Sequence, residues 1–313
     1  MNLRYGIITC ATITDRFMHA VLEYGDTLVA IASRSLEKAQ EKAQAYGIKA
    51  YGSYEELYKD EHIDVVYIAS NNATHVQEIK QALHHGLHVI CEKPIALSKE
   101  QANEVFELAK EKGLFLMEAQ KSVFLPVMQD IKQHIQAQTF GHLHQIEMSC
   151  SFPSPSSPWM HDPTQGGVVY GSANYTLELL DYVLEPKTTT IQASGLFEST
   201  QACERVSMNI VMDDTLINSR ISMNGDTLHH AIFYFDQGYI HVPSYWKARE
   251  YTIHTQQQTT TIQHPVDYEM IYEVAHIHEC IEKGLLESPI MSAKRSITCC
   301  TLVDEINIQI RKS

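Results

Sequence analysis

Short apolar runs alternate with amphipathic segments over the first 119 residues of the chain. The runs at 3–9, 27–33, 64–69, 88–90 and 114–117 have the length of buried strands. The intervening segments begin with capping residues and end at glycines; the caps are Ser35, Ser53, Thr74 and Ser98, and the glycines are Gly47, Gly86 and Gly113. Because strands and helices that alternate at this spacing form a parallel sheet, the sequence predicts an α/β fold with a Rossmann-type doubly wound sheet.

Length, charge and cysteine usage limit the class of protein. The chain has 313 residues, enough for two domains, and 44% hydrophobic with 20% charged residues is typical of a soluble globular protein. A net charge of −14 argues against nucleic acid or an anionic membrane as a partner. We find no targeting sequence, no apolar run long enough to span a bilayer, and seven cysteines without a CxxC pair. These features predict a cytoplasmic protein with reduced thiols.

The turn after the first strand is the usual place for Gly-x-Gly-x-x-Gly in dinucleotide-binding sheets. Here it reads Thr9, Cys10, Ala11, Thr12, Ile13 and Thr14, without a glycine. Its small residues still allow a phosphate to approach the backbone amides at the helix start, where the helix dipole favours negative charge. We therefore expect residues 9–13 to contact a cofactor although the motif is absent.

Two further segments follow predicted strands at the same edge. Ser33-Arg34-Ser35 occupies the position at which NAD-binding proteins use an acidic residue, and a guanidinium flanked by hydroxyls suits a 2′-phosphate. This pattern favours NADP(H), with NAD(H) possible; the alternative is that Arg34 is only a solvated charge at a helix start. After the third strand, the polar side chains of Ser70, Asn71, Asn72 and His75 are suited to hold the nicotinamide ribose.

The run Cys91-Glu92-Lys93-Pro94 ends the strand at 88–90. Since Pro94 cannot donate to a sheet, the strand stops there and Lys93 lies at the ligand edge. The alternative is a surface lysine before a proline turn.

Three motifs, in this order, resemble the signatures of the Gfo/Idh/MocA oxidoreductases, named for glucose-fructose oxidoreductase and inositol dehydrogenase. They are Tyr67-Ile68-Ala69-Ser70-Asn71-Asn72-x-x-His75, Gly86-x-His88-Val89-x-Cys91-Glu92-Lys93-Pro94 and Met117-Glu118-Ala119. The spacing to Phe124-Leu125-Pro126 and the tail at 284–291 are similar to the dimeric dihydrodiol dehydrogenase and D-xylose dehydrogenase branch. The resemblance implies a dinucleotide-binding domain over 1–119, and an α+β domain over 120–313 for substrate binding and oligomerisation.

The second predicted domain contains many strand-like runs, at 142–152, 190–193, 206–211, 216–222, 230–235, 239–242 and 251–255. By resemblance they form a large, open, mostly antiparallel sheet. Such a sheet has more surface than the predicted helices cover, so we expect a homodimer or a dimer-built tetramer.

A proline- and serine-rich loop at 151–163 leads to Gly166-Gly167 and a helix over 168–184. In the family this segment reads G-G-x-x-x-D-x-x-x-[YH], with the aspartate and the tyrosine or histidine facing the nicotinamide. Tyr175 matches, but Gly171 stands at the aspartate position. The resemblance assigns Lys93 and Tyr175 to catalysis, Glu92 and Lys93 to the cofactor, and Lys93, Gln120, Trp159, His161, Gly171 and Tyr175 to the substrate.

Two functions are compatible with these residues. The first is an NAD(P)-dependent dehydrogenase or reductase acting on a hydroxyl of a sugar, polyol or cyclic diol, in which Asp162 or His161 replaces the absent aspartate. The second is an NADP-binding sensor that has lost hydride transfer, suggested by Gly171 and by the glycine-free turn. We favour the enzyme because Lys93 and Tyr175 are both present. The 17 histidines form no pattern that indicates a metal site.

Overall fold

The computed structural model describes residues 2–153, 157–197 and 201–312. The chain divides into two compact units: Met1–Gln120 with Tyr268–Ile297, and Lys121–Asp267 with Thr298–Ser313. In the described part of the chain no helix has the length and apolar character needed to cross a membrane.

A six-stranded parallel sheet forms the core of the first unit. Its strands are β1 (Arg4–Ile8), β2 (Thr27–Ala32), β3 (Lys49–Tyr51), β4 (Val65–Ile68), β5 (His88–Glu92) and β6 (Leu116–Ala119), in the order β3-β2-β1-β4-β5-β6. This order is that of a doubly wound dinucleotide-binding sheet, so the predicted fold class is confirmed. The sequence does not predict β3, because three residues without an apolar run carry no strand signal.

Helices flank the sheets of both units in the described ranges. In chain order they are α1 (Thr12–Tyr24), α2 (Leu36–Tyr46), α3 (Tyr54–Tyr58), α4 (His75–His84), α5 (Lys99–Lys112), α6 (Pro126–Gln136), α7 (Gly167–Leu184), α8 (Ile271–Glu282) and α9 (Ala293–Ile310). Ser35, Ser53 and Ser98 cap their helices, each accepting a backbone N–H at 3.3–3.4 Å. Thr74 does not cap α4, because its hydroxyl bonds to the preceding turn instead.

Helix α8 packs on α1 and belongs to the first unit. His278 of α8 lies 3.1 Å from both carboxylate oxygens of the buried Asp26, and its ring is 5.1 Å from that of Tyr24. The sequence places residues 268–297 in the second domain because they follow its strands in the chain. In the structure these residues belong to the first unit instead, since the apolar face of α8 is buried there against α1.

The second unit contains an eight-stranded sheet in the order β14-β13-β12-β11-β7-β10-β9-β8. The strands are β7 (Leu143–Ser151), β8 (Thr189–Leu196), β9 (Arg205–Met212), β10 (Thr215–Ser222), β11 (His230–Phe235), β12 (Gly238–Pro243), β13 (Glu250–Thr255) and β14 (Thr259–Gln263). Every pairing is antiparallel except β7 with β10, which confirms the mostly antiparallel sheet. Alternation is clear in β9, whose Val206, Met208 and Ile210 are buried on the face that α7 covers.

Candidate active site

The predicted cofactor segments of the first unit all follow the carboxyl ends of strands. Residues 9–13 follow β1, residues 33–34 follow β2, residues 70–72 follow β4, and residues 92–93 end β5 and begin the next turn. The crevice between the ends of β1 and β4 is the point at which the strand order reverses, where open α/β sheets bind ligands.

Thr9 joins three strands at this crevice. Its backbone N–H donates to Ala32 O at the end of β2 (2.9 Å), and its hydroxyl donates to Ala69 O just after β4 (2.8 Å). Its φ is +80°, a left-handed value that a β-branched residue rarely adopts. The hydroxyl bond to Ala69 therefore compensates for a backbone conformation that glycine would adopt without strain.

The start of α1 is open toward the same crevice. Its N-cap, Ala11, has no side chain able to accept a hydrogen bond, and the backbone N–H groups of Thr12 and Ile13 have no acceptor in the described part of the chain. Free N–H groups at the start of a 13-residue helix form an anion-binding site. These residues fit the diphosphate of a dinucleotide although the glycines are absent.

Arg34 is exposed directly after β2, near enough to Tyr54 for its charge to act on the phenol. Burial raises the pKa of Tyr54, so the phenol stays protonated and is available as a donor. The Ser33 hydroxyl accepts the backbone N–H of Ser35 at 3.3 Å. A cation and hydroxyls at this position fit a 2′-phosphate.

The polar loop after β4 is bonded within itself. The Ser70 hydroxyl donates to Glu78 in a short hydrogen bond, and the Thr74 hydroxyl lies 2.9 Å from Ser70 Oγ. Burial raises the pKa of Glu78, a carboxyl that is 9% exposed. Asn72 is also buried, and Asn71 is half-buried. Of the four residues predicted to meet the ribose, Ser70 and Asn71 are therefore the more accessible.

His75 is completely buried, contrary to the expectation that it reaches the cofactor. Its Nδ1 lies 2.7 Å from Pro94 O and its Nε2 lies 3.1 Å from Ser70 O. Burial lowers the pKa of this imidazole, and a neutral ring has one N–H, which the shorter contact assigns to Nδ1. His75 thus joins the turn after β5 to the loop after β4.

Lys93 follows a carboxylate that is held from two sides. Glu92 accepts from the Tyr67 hydroxyl (2.5 Å) and from the Lys93 backbone N–H (3.3 Å). Tyr67 in turn stacks on Phe17 of α1, with ring centroids 3.7 Å apart. The Lys93–Pro94 peptide bond is cis, and Lys93 itself is half-buried. The predicted catalytic lysine therefore begins a turn fixed by both neighbouring strands.

The second unit carries four of the predicted substrate residues, Trp159, His161, Gly171 and Tyr175, in α7 and the turn before it. Gly166 is required because a side chain there would meet Trp159 O at 2.3 Å, and Gly167 has φ +72° and would place a Cβ 2.7 Å from Cys203 O. These close approaches let the short helical turn Pro158–His161, with Trp159 and His161, lie against α7. Residues 154–156 of the predicted loop lie outside the described residues.

The space above Gly171 is occupied by Met160. A Cβ at Gly171 would lie 2.9 Å from Met160 Cε and 3.1 Å from its Sδ, and Met160 is 6% exposed. The thioether therefore fills the volume in which the family pattern has an aspartate side chain.

Tyr175 is half-buried on α7 beside two aromatic rings that the sequence does not single out. Its ring lies 6.1 Å from Phe152 and 6.3 Å from Trp246, and these two are 5.2 Å apart. His229 lies 5.0 Å from Trp246, with Nε2 2.9 Å from Ser151 Oγ. The sequence feature that could have pointed to this aromatic cluster is Trp246, because the chain has only two tryptophans.

Two other predicted residues are engaged differently. Asp162 accepts from the backbone N–H and hydroxyl of Thr164 and from the Gln165 amide, which lowers the pKa of its carboxyl. Asp162 is therefore committed to its own turn and is a poor substitute for the absent aspartate. Gln120 is completely buried. Within residues 2–153, 157–197 and 201–312, no group of three or more His, Cys, Asp or Glu could hold a metal ion.

The strand order and the open helix start define a dinucleotide-binding protein. A family model described as "Oxidoreductase family, NAD-binding Rossmann fold" matches residues 3–120, and one described as "GFO/IDH/MocA C-terminal domain" matches residues 128–242. The chain is 30% identical to trans-1,2-dihydrobenzene-1,2-diol dehydrogenase of Xenopus laevis over 97% of each chain. The chain belongs to the Gfo/Idh/MocA family and is an NAD(P)-binding oxidoreductase.

Further similarities extend this comparison. Over 135 residues, 42% of this chain and 41% of the other, the chain is 38% identical to scyllo-inositol 2-dehydrogenase (NADP(+)) of Bacillus subtilis. A 3-ketoreductase from Actinomadura kijaniata, solved with NADP and TDP-benzene, superposes with a TM-score of 0.89 at 20% identity, covering 99% of this chain and 98% of the other. Levoglucosan dehydrogenase, solved with NADH and levoglucosan, superposes with a TM-score of 0.88 at 18% identity, covering 100% of this chain and 98% of the other. These likenesses show the fold.

The packing at Gly171 generates a prediction. Gly171→Asp should lower stability by about 1–3 kcal/mol, or several degrees in Tm, because the new side chain overpacks against Met160. Met160→Ala removes the clashing atoms, so the double variant should lose less stability than the sum of the single variants. Thermal denaturation of all four proteins measures this coupling. Strictly additive losses would contradict the contact.

Proposed function

We propose that the protein transfers hydride between a nicotinamide cofactor and a hydroxyl or carbonyl carbon of a sugar, polyol or cyclic diol. The observation that carries the proposal is full-length similarity to dihydrodiol dehydrogenases, together with the matching Lys93 and Tyr175. The names of the inositol dehydrogenase, the ketoreductase and the levoglucosan dehydrogenase support the same substrate class.

The aromatic side chains around Tyr175 support a cyclic substrate. Half-buried Phe152 offers a flat apolar surface that Trp246, 6% exposed, supports from behind, and the Tyr175 hydroxyl and His229 offer polar atoms beside them. Ligand sites for small molecules commonly combine an apolar wall with a few placed polar groups. A ring with one apolar face and several hydroxyls suits this combination.

The chemistry assigned to the chain's own residues follows from charge development. The bound nicotinamide supplies the hydride acceptor or donor. Oxidation of a carbinol requires loss of the hydroxyl proton, and we assign the Lys93 ammonium to stabilise the developing alkoxide and the Tyr175 hydroxyl to assist. Since Met160 fills the space above Gly171, the proton passes to solvent or through a polar group such as His229 rather than to a carboxylate at that position.

The first test removes the lysine. Lys93→Met should reduce kcat by about 10²–10⁴-fold, because a positioned polar group is lost, while NADPH fluorescence still reports binding. Activity of the wild type with NADP(H) is measured against a panel of sugars, polyols, cyclic diols and their keto forms. Lys99→Met is the matched control, since Lys99 is exposed at the start of α5.

The outcome also separates the two functions. If the wild type binds NADPH but converts no compound of the panel, the sensor replaces the enzyme as the better proposal. Equal turnover by Lys93→Met and wild type would reject the assigned role of Lys93.

We further propose that NADP(H) binds more tightly than NAD(H), through Arg34 and the Tyr54 hydroxyl. A charge-assisted contact contributes about 1.5–3 kcal/mol, so Arg34→Ala should weaken NADPH binding about tenfold or more. NADH binding should hardly change, because NADH has no 2′-phosphate, and this makes NADH the internal control. Fluorescence titration of both cofactors measures the effect. Equal affinities in the wild type would reject the preference.

The exposed face of the second unit's sheet supports a homodimer or dimer-built tetramer. Leu196, Val211 and Leu216 lie on this face and are 55%, 40% and 46% exposed, a pattern more typical of an interface than of a solvated surface. Light scattering at micromolar concentration should give at least twice 35.5 kDa. A mass of one chain only would contradict the proposal.

A further inference from the structure

The glycine-free turn between β1 and α1 is held by a cation from another helix. Lys42 lies on α2, and its side chain is 15% exposed. Its ammonium is 3.4 Å from Cys10 O, 3.3 Å from Ala11 O, 2.9 Å from Thr14 Oγ1 and 2.9 Å from Asp15 Oδ2. Three N–H donors are thus shared among four oxygens, two from the turn and two from side chains in the first helical turn of α1.

The two carbonyl contacts determine where the opposite ends of their peptide groups point. In a trans peptide the C=O and N–H directions are antiparallel, so a cation on the carbonyls of Cys10 and Ala11 leaves the N–H groups of Ala11 and Thr12 on the other side. The N–H of Ala11 has Thr9 Oγ1 as a distant acceptor at 3.4 Å, and the N–H of Thr12 has no acceptor in the described ranges. A cation bound at the carbonyl oxygen polarises the peptide group and makes its N–H a stronger hydrogen-bond donor.

Asp15 limits the charge that Lys42 contributes. Its carboxylate pairs with the ammonium through Oδ2 and accepts from the Tyr46 hydroxyl through Oδ1 at 3.3 Å. Lys42 therefore acts on the turn as a partly neutralised cation. Removing Asp15 would break an ion pair but leave the ammonium free to act on the turn.

We propose that Lys42 is a positioning residue for the cofactor diphosphate, which replaces the usual glycines by orienting and polarising the peptide groups of the turn. The inference rests on the proposed placement of the diphosphate at the start of α1. A diphosphate is common to both cofactors, so Lys42 should act equally on NADPH and NADH. This separates it from Arg34, which is assigned to the 2′-phosphate alone.

The test is a fluorescence titration of NADPH and of NADH into Lys42→Met. Both Kd values should rise about tenfold, by the same factor, because the turn proposed to hold the shared diphosphate loses its charge-assisted contacts to Lys42. The matched control is Lys38→Met. Lys38 lies one turn earlier on α2, and both lysines line a cavity of about 640 Å³. Unlike Lys42, the Lys38 ammonium makes no hydrogen bond or ion pair in the described part of the chain. Its Kd values should stay within twofold of wild type.

Asp15→Asn distinguishes positioning from simple structural support. This variant should lower Tm through the lost ion pair, and yet it should bind both cofactors as tightly as the wild type or several-fold more tightly. If the Lys42–Asp15 pair only stabilised the fold, the cofactor affinity of Asp15→Asn would fall together with its Tm. Lys42→Arg keeps the charge and should recover part of the affinity lost in Lys42→Met.

The outcomes separate the two proposals. Wild type that binds neither cofactor would overturn the proposed cofactor site, and this inference with it. Wild type that binds both, with Lys42→Met unchanged or selectively weakened for NADPH, would overturn only the role of Lys42. If Lys42→Met does not fold, weaker cofactor binding by Asp15→Asn overturns the inference, and retained or tighter binding supports it.

Discussion

The cofactor edge of the first unit depends on the hydrogen bonds of Thr9. One residue bonds to the end of β2 through its backbone and to the end of β4 through its side chain, so three adjacent strands are joined at the crevice where the sheet order reverses. The cost is a left-handed backbone at a β-branched residue, which a nonlocal hydroxyl contact offsets. Lys42 then supports the next two peptide groups from the side of α2. Together these contacts hold, without glycine, the turn at which we propose that the diphosphate binds.

The turn that carries Lys93 is organised by similar long-range contacts. His75 bonds to Pro94 O, the Tyr67 hydroxyl fixes Glu92, and Glu118 accepts from the Ile95 backbone N–H at 2.9 Å. All of these contacts come from neighbouring strands or helices, and most are buried, where a hydrogen bond is costly to leave unmade. Lys93, the proposed catalytic lysine, is consequently attached to a rigid part of the sheet edge, as positioned catalytic groups require.

The second unit shows how a family site is altered without altering the fold. Gly166 and Gly167 keep the close approach of the 158–161 turn to α7, and Tyr175 keeps its place on that helix. At Gly171 the aspartate is absent and Met160 fills the volume. Acid–base chemistry at such a site has to proceed without that carboxylate, with Tyr175 and the polar groups beside the aromatic rings as the available participants.

The sequence by itself determined the parallel sheet of the first unit and the edge at which a ligand is expected, because these follow from local periodicity, capping residues and the chirality of βαβ connections. It also indicated most strands of the second unit, whereas their arrangement in one sheet came from the family resemblance. The bounds of β11 agree with prediction to the residue, and the turn residues after β1, β2, β4 and β5 lie where the pattern indicates. Only the tertiary structure decided which of those residues are accessible: His75 and Gln120 are buried, and Asp162 is bonded within its own turn. It also decided that α8 joins the first unit, that Lys42 contacts the turn after β1, and that Met160, Phe152 and Trp246 lie beside the predicted substrate residues of the second unit. Each of these depends on contacts between residues far apart in the chain, and no local pattern of hydrophobicity or turn chemistry carries that information.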